Sequence, residues 1–97
     1  HGPRLRRRLD RGEIEPTAIL DLHGLDREQA AGRLDTFIAQ RSAAEVVLVI
    51  HGKGTGILAR TVHQVLDASR RVAEHLPAPA RLGGDGARVV RIRSRGR

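Results

Sequence analysis

The chain contains Ala18-Ile19-Leu20-Asp21-Leu22-His23-Gly24 and, further on, Val46-Val47-Leu48-Val49-Ile50-His51-Gly52-Lys53-Gly54-Thr55-Gly56. Each is an apolar run that ends in a histidine and a glycine. Residues 17–22 and 45–50 read as strands. Alternation puts Ala18, Leu20 and Leu22 on one face of the first, and Ile19, Asp21 and His23 on the other. The second is almost wholly β-branched and apolar, which suits a central parallel strand. If the two are parallel neighbours, Asp21, His23 and His51 meet at one edge of one sheet. That is where open α/β sheets bind ligands.

The intervening segments follow from this. Asp26 with Gln29 has the spacing of a capping box, and Leu25 with Ala30 that of a hydrophobic staple. Ala30, Leu34, Phe37 and Ile38 then form a helical apolar stripe, which Arg41 extends. A second helix opens after the glycine loop, with Leu58, Val62, Val65 and Leu66 on its buried side, and ends near Ser69. Residues 71–76 read as a third strand closed by Pro77 and Pro79. Gly83-Gly84-Asp85-Gly86 reads as a turn, and residues 87–93 as a fourth strand. The order βαβαββ predicts an α/β (α+β) two-layer sandwich, with a four-stranded mixed sheet and two helices on one face. Helical crossovers make the first strands parallel, and the last two form a hairpin or near-hairpin. Residues 1–16 read as a basic N-terminal arm, 17–93 as the domain and 94–97 as a basic C-terminal tail. Leu5 and Leu9 stand four apart, so a turn or two of the arm can dock.

Ninety-seven residues suit one small domain with one thin core. With no cysteine there is no disulfide framework. No apolar run reaches membrane-spanning length and no signal-peptide core is visible. The expectation is a cytoplasmic protein without membrane contact. The chain starts at His1 rather than Met, so a longer parent protein is expected.

The net charge is +7, and its placement matters more than its size. Residues 1–11 carry +4 and residues 87–97 carry +5, while the middle carries −2. A nearly neutral body with arginine-rich ends suits a polyanion, whose counterions are released as arginines replace them. Solvated tails fit the same charges. Arg91 and Arg93 share a strand face, read as solvated and counted among the phosphate contacts. Phe37 is the only aromatic, so stacking bases on a sheet face is excluded. Any nucleic-acid contact falls on phosphate and sugar, with low sequence specificity.

Asp21 and His23 are two apart and project to one side of an extended segment. A carboxylate there can orient and tune an imidazole as acid or base. The same residues also fit a polar strand end before a helix-starting turn. Strand, His51, glycines at 52, 54 and 56, then a helix, form a nest whose N–H groups and helix dipole attract phosphate. Lys53 adds a mobile charge, and a purely structural turn with several positive φ angles fits as well. The loop is neither a P-loop nor the dinucleotide fingerprint. His23 is the candidate base, and His51 either the acid for the leaving oxygen or a phosphate donor. A rival arrangement makes Asp21, His23 and His51 ligands of one divalent ion. No dedicated metal site is expected and no cofactor is required, with a divalent ion left open. His63 and His75 read as surface or rim residues, and Asp67 and Glu74 as solvated charges.

Leu20-Asp21-Leu22-His23-Gly24 and His51-Gly52-Lys53-Gly54 together resemble the two signature motifs of the Smr (small MutS-related) domain. The likeness runs on through Thr55-Gly56, Leu58 and the Gly83–Gly86 turn, over about residues 17–93. The arm and the leucine–aspartate–histidine motif resemble the bacterial stand-alone or proteobacterial branch. The resemblance implies a βαβαββ fold similar to the C-terminal domain of bacterial translation initiation factor three. It also implies endonuclease activity, in some members on DNA beside a MutS-type ATPase and in others on messenger RNA at ribosomes. Asp21 and His23 match the catalytic motif, and His51, Gly52, Lys53 and Gly54 the nucleic-acid-contact motif. Members often carry Arg directly after the leucine of the second helix. Here Ala59 stands there and Arg60 follows, rotated by about 100° around the helix. The function expected is a nucleic-acid endonuclease of low sequence specificity, on RNA or structured DNA, at ribosomes or in DNA repair. The alternative is a non-catalytic nucleic-acid- or ribosome-binding module. The phosphate-contact set is Gly52, Lys53, Gly54, Thr55, Gly56, Arg60, Arg91 and Arg93.

Overall fold

A computed structural model describes residues 2–94. Most of the expected C-terminal tail, residues 95–97, lies outside the described residues. The elements are α1 (Gly2–Asp10), β1 (Ile19–Asp21), α2 (Arg27–Ala39), β2 (Val46–Ile50), α3 (Ile57–Ala68), β3 (Val72–Pro77) and β4 (Ala87–Ile92). Two 3-10 turns, Ala80–Leu82 and Gly84–Gly86, join β3 to β4.

The sheet order is β1-β2-β4-β3. β1 runs parallel to β2, with Ile19 opposite Leu48 and Asp21 opposite Ile50. β4 runs antiparallel to both β2 and β3. β2 is therefore central and its four residues Val46–Val49 are buried, which explains its unbroken apolar run. The expected strand faces hold: Leu22 is in the core with Ala18 and Leu20 against it, while Ile19, Asp21 and His23 are exposed.

α2 starts at the expected capping box. The Asp26 carboxylate accepts the Gln29 N–H at 2.8 Å, and the Gln29 side chain accepts the Asp26 N–H at 3.1 Å. Ala30, Leu34 and Ile38 of α2 and Val62 and Leu66 of α3 are buried against Val47, Val49, Val90 and Ile92. These two helices make one layer. Phe37 lies half-buried at its rim, with the Arg41 guanidinium 4.3 Å from its ring centre.

α1 adds what the count of arginines conceals. Leu5 and Leu9 fall on one side of this helix and are buried against Leu48, Leu76 and Val89 on the opposite face of the sheet. The arginines turn outward and several bind nearby. Arg6 donates to Pro77 O at 3.2 Å, and Arg11 pairs with Glu13 at 3.2 Å. From the domain side, Arg81 donates to Leu9 O at 2.7 Å and to Glu15. Residues 2–10, read from sequence as part of an arm, are a docked helix, and the sheet is covered on both faces. Among the described residues no helix is long and apolar enough to cross a membrane.

Candidate active site

Register places the site. Asp21 lies opposite Ile50, and the Leu22 N–H donates to Ile50 O at 2.7 Å. The two strands end level, so the segments that follow them leave the sheet side by side. A Cβ placed on Gly52 would sit 3.6 Å from the Cβ of His23.

One oxygen of Asp21 accepts both the ring Nδ1 of His23 at 2.7 Å and the His23 backbone N–H at 3.1 Å. An ionised carboxylate only accepts, so Nδ1 carries a ring proton, and in the neutral tautomer this fixes, the lone pair is on Nε2. The hydrogen bond from the ring, then that from the backbone, holds the Asp21 carboxyl below the usual carboxylate range. His23 lines a cavity of about 730 Å³. Asp21 is not part of that wall and acts on it through His23.

His51 lines the same cavity and is buried, 6% exposed. Its Nδ1 donates to Gly52 O at 2.7 Å, which leaves Nε2 for a ligand. Its backbone N–H and that of Gly52 both reach Gly86 O, at 2.9 and 3.0 Å. This fork ties the loop to the turn before β4.

The loop turns on two of its three glycines. Gly52 has φ 81° and Gly56, the N-cap of α3, has φ 91°, both in the left-handed region. Gly54 is not in that region, so the expectation of positive φ at several sites holds for two of the three. No side chain caps α3, and the Ile57 N–H makes only a long contact with the Thr55 hydroxyl at 3.4 Å. The first N–H groups of a helix lack intrahelical partners, and here they border the cavity through Ile57, Leu58 and Ala59. Lys53, Gly54, Thr55 and Gly56 are exposed in the same wall.

Gly52→Ala is predicted to cost about 1–2 kcal/mol through its left-handed φ. Any hydrolysis at the site should fall by about tenfold to a hundredfold, since small misplacements of reacting groups are costly. Thermal melting and a cleavage assay on the same sample separate the two effects.

The cavity also has walls that motif reading missed. Leu25, Ile57 and Leu58 supply an aliphatic side, with Ile57 54% exposed. Arg27 stands at the opening of α2 and lines the cavity too. A cation in the first turn opposes the helix dipole. That local conflict, four residues past His23, is the signal that would have found it.

Other expected contacts lie elsewhere. β4 runs away from the site, so Arg91 lies opposite Val46, at the far end of β2 from His51. Arg91 Nε is 2.7 Å from Glu74, and its side chain is only 32% exposed rather than solvated. Arg93 donates to Arg70 O and Val72 O. The structure does not bring these two to the cavity, because each β4 residue moves farther along an antiparallel strand. Arg60 faces a neighbouring groove. Among the described residues, Asp21, His23 and His51 do not form a group with metal-ligand spacing; His63, Asp67 and His75 do.

Comparison with known proteins adds five findings. The family model for the Smr domain matches residues 20–93. The chain is 40% identical over 75 residues to the endonuclease MutS2 of Latilactobacillus sakei, covering 75% of this chain and 10% of that protein. It is 36% identical over 88 residues to the ribosome rescue factor SmrB of a Shewanella species, covering 89% of this chain and 50% of that protein. In structure it resembles the Smr domain of Thermus thermophilus MutS2, with TM-score 0.75 and 30% identity over 79% of this chain and 99% of the other. It also resembles YdaL, a stand-alone small MutS-related protein from Escherichia coli, with TM-score 0.75 and 28% identity. That match covers 92% of this chain and 74% of the other.

Proposed function

This chain belongs to the Smr domain family, and from that premise we propose that it is a nucleic-acid endonuclease of low sequence specificity. The observation that carries the reading is the Asp21–His23 pair, at 2.7 Å, beside the glycine loop of His51. Asp21 fixes the ring so that Nε2 of His23 faces the reaction as a base. It takes a proton from water or from a ribose 2′-hydroxyl as that oxygen bonds to phosphorus. The P–O bond to the leaving sugar breaks, and the leaving oxygen takes up a proton. Lys53 and the N–H groups at the start of α3 stabilise the charge that gathers on the phosphate. His51 protonates the leaving oxygen or only holds phosphate. Leu25, Ile57 and Leu58 give the attached nucleoside an apolar wall without an aromatic platform, which supports low sequence preference.

The test is cleavage of labelled RNA and DNA, with and without chelator, by the wild type and by the Asp21→Ala/His23→Ala double variant. We expect cleavage by the wild type in chelator, because Asp21 is already engaged by His23. The double variant should bind without cutting. RNA cut through its 2′-hydroxyl ends in a cyclic phosphate, whereas water attack leaves a linear one. A wild type that binds polynucleotide and never cuts it is a binding module instead. One relative is named a ribosome rescue factor, which makes ribosome-bound messenger RNA a substrate to include.

A further inference from the structure

Across His51 from the site lies a second groove of about 460 Å³. His51 and Ala59 belong to the walls of both. They form a saddle between them, kept low by the small side chain of Ala59. Beyond it stand Arg60, His63 and Gln64 on α3 and Arg88 on β4, and the Asp85 carboxylate also lines the groove. Arg60 is exposed and makes no side-chain hydrogen bond or ion pair among the described residues.

Arg88 is half-buried and aimed. Its Nε donates to His75 Nδ1 at 2.9 Å. That nitrogen accepts, so the ring proton lies on Nε2, which donates to Asp67 at 2.6 Å. His63 meets the other oxygen of Asp67 at 3.3 Å and packs edge-on against His75, with ring centres 5.0 Å apart. His63, Asp67 and His75 have the spacing of a metal site. Yet a histidine that ligates through Nε2 carries its proton on Nδ1, and the guanidinium of Arg88 occupies Nδ1 as a donor. The chain His63–Asp67–His75 is thus a hydrogen-bonded support. It holds Arg88 by one nitrogen and leaves the two terminal nitrogens for the groove. The hydrogen bond from His75 holds the Asp67 carboxyl below its usual range, so the support stays anionic. Burial lowers the His75 imidazole, consistent with a neutral ring.

We propose that this groove is a second phosphate subsite, in which Arg88 and Arg60 hold the phosphodiester next to the one at the glycine loop. The backbone of the polynucleotide then crosses the saddle at Ala59 and His51. The chain as a whole tracks single strands over more than one nucleotide. His75 is a positioning residue in this arrangement, acting through Arg88. The inference rests on the nucleic-acid reading of the main site.

The test uses isotope-labelled protein titrated with a dinucleotide and with a single strand of about eight nucleotides. The dinucleotide should shift only the amides of Gly52–Gly56. The longer strand should also shift the Arg88 Nε–H and the Gln64 amide. Arg60→Gln should weaken the longer strand several-fold. It should also reduce the slope of log affinity against log salt by about 0.7, the value for one single-strand phosphate contact. His75→Gln should weaken it too and move the Arg88 Nε–H signal, with the salt slope nearer that of the wild type. Loop shifts without groove shifts, and an unchanged salt slope in Arg60→Gln, would overturn the subsite while leaving the main reading intact. No shift anywhere with either strand would overturn the nucleic-acid reading, and the subsite with it.

Discussion

His23→Ala is expected to reduce cleavage by about three to four orders of magnitude, the largest effect of any substitution in the chain. The ring is 73% exposed and leaves no core position empty. Stability should therefore change by no more than about 0.5 kcal/mol, as for other surface sites. Asp21→Asn should cost less, by a different route. Its amide oxygen can still accept from both His23 donors, so the tautomer is kept. What is lost is the negative charge that stabilises the imidazolium formed as His23 takes its proton. The pH profile adds a sign. The Asp21 carboxyl is held low by its two hydrogen bonds from His23, so it stays ionised in mild acid. Loss of rate in mild acid would therefore not arise from protonation of Asp21. A His23→Ala variant that cuts like the wild type, after purification free of host nucleases, would sink the assignment.

The parts of this site that were legible in sequence share a property: their partners are close along the chain. Asp21 and His23 are two apart on a strand, and Asp26 and Gln29 three apart at a helix start, so backbone geometry alone joins them. The meeting of the Asp21 and His51 segments needed one tertiary assumption, that the two apolar runs pair in parallel, and the register bears it out. Beyond that, local pattern was silent. Nothing near His75 says that it sits between Asp67 and Arg88. Arg91 and Arg93 look like free cations until β4 is known to be antiparallel and to carry them to the far end of the sheet. Ile57 stands outside the stripe of Leu58, Val62, Val65 and Leu66, and only the fold shows it as an exposed wall of the cavity.

The second large effect concerns stability and the other face of the sheet. Leu9 is fully buried, and Leu9→Ala should destabilise the fold by about 2–5 kcal/mol, the cost of deleting a buried leucine side chain. A domain this small holds only about 5–10 kcal/mol in total. One substitution then takes a large share of it, and Tm should drop by roughly 10–40 °C. Adding Leu5→Ala should leave the chain largely unfolded, because α1 is the cover over Leu48, Leu76 and Val89. The charge of the helix is a separate matter. Arg7 is exposed, and Arg7→Gln should stay within about 0.5 kcal/mol of the wild type. Thermal melts of these three variants decide between a docked helix and a solvated basic arm. On a solvated arm all three would melt with the wild type. Removing residues 1–12 is thus the wrong probe of nucleic-acid contacts by this segment, since it uncovers the sheet as well as removing arginines. Arg7→Gln isolates the charge, and its effect on the salt slope of binding, about 0.7 or none, tells whether the outer side of α1 touches phosphate.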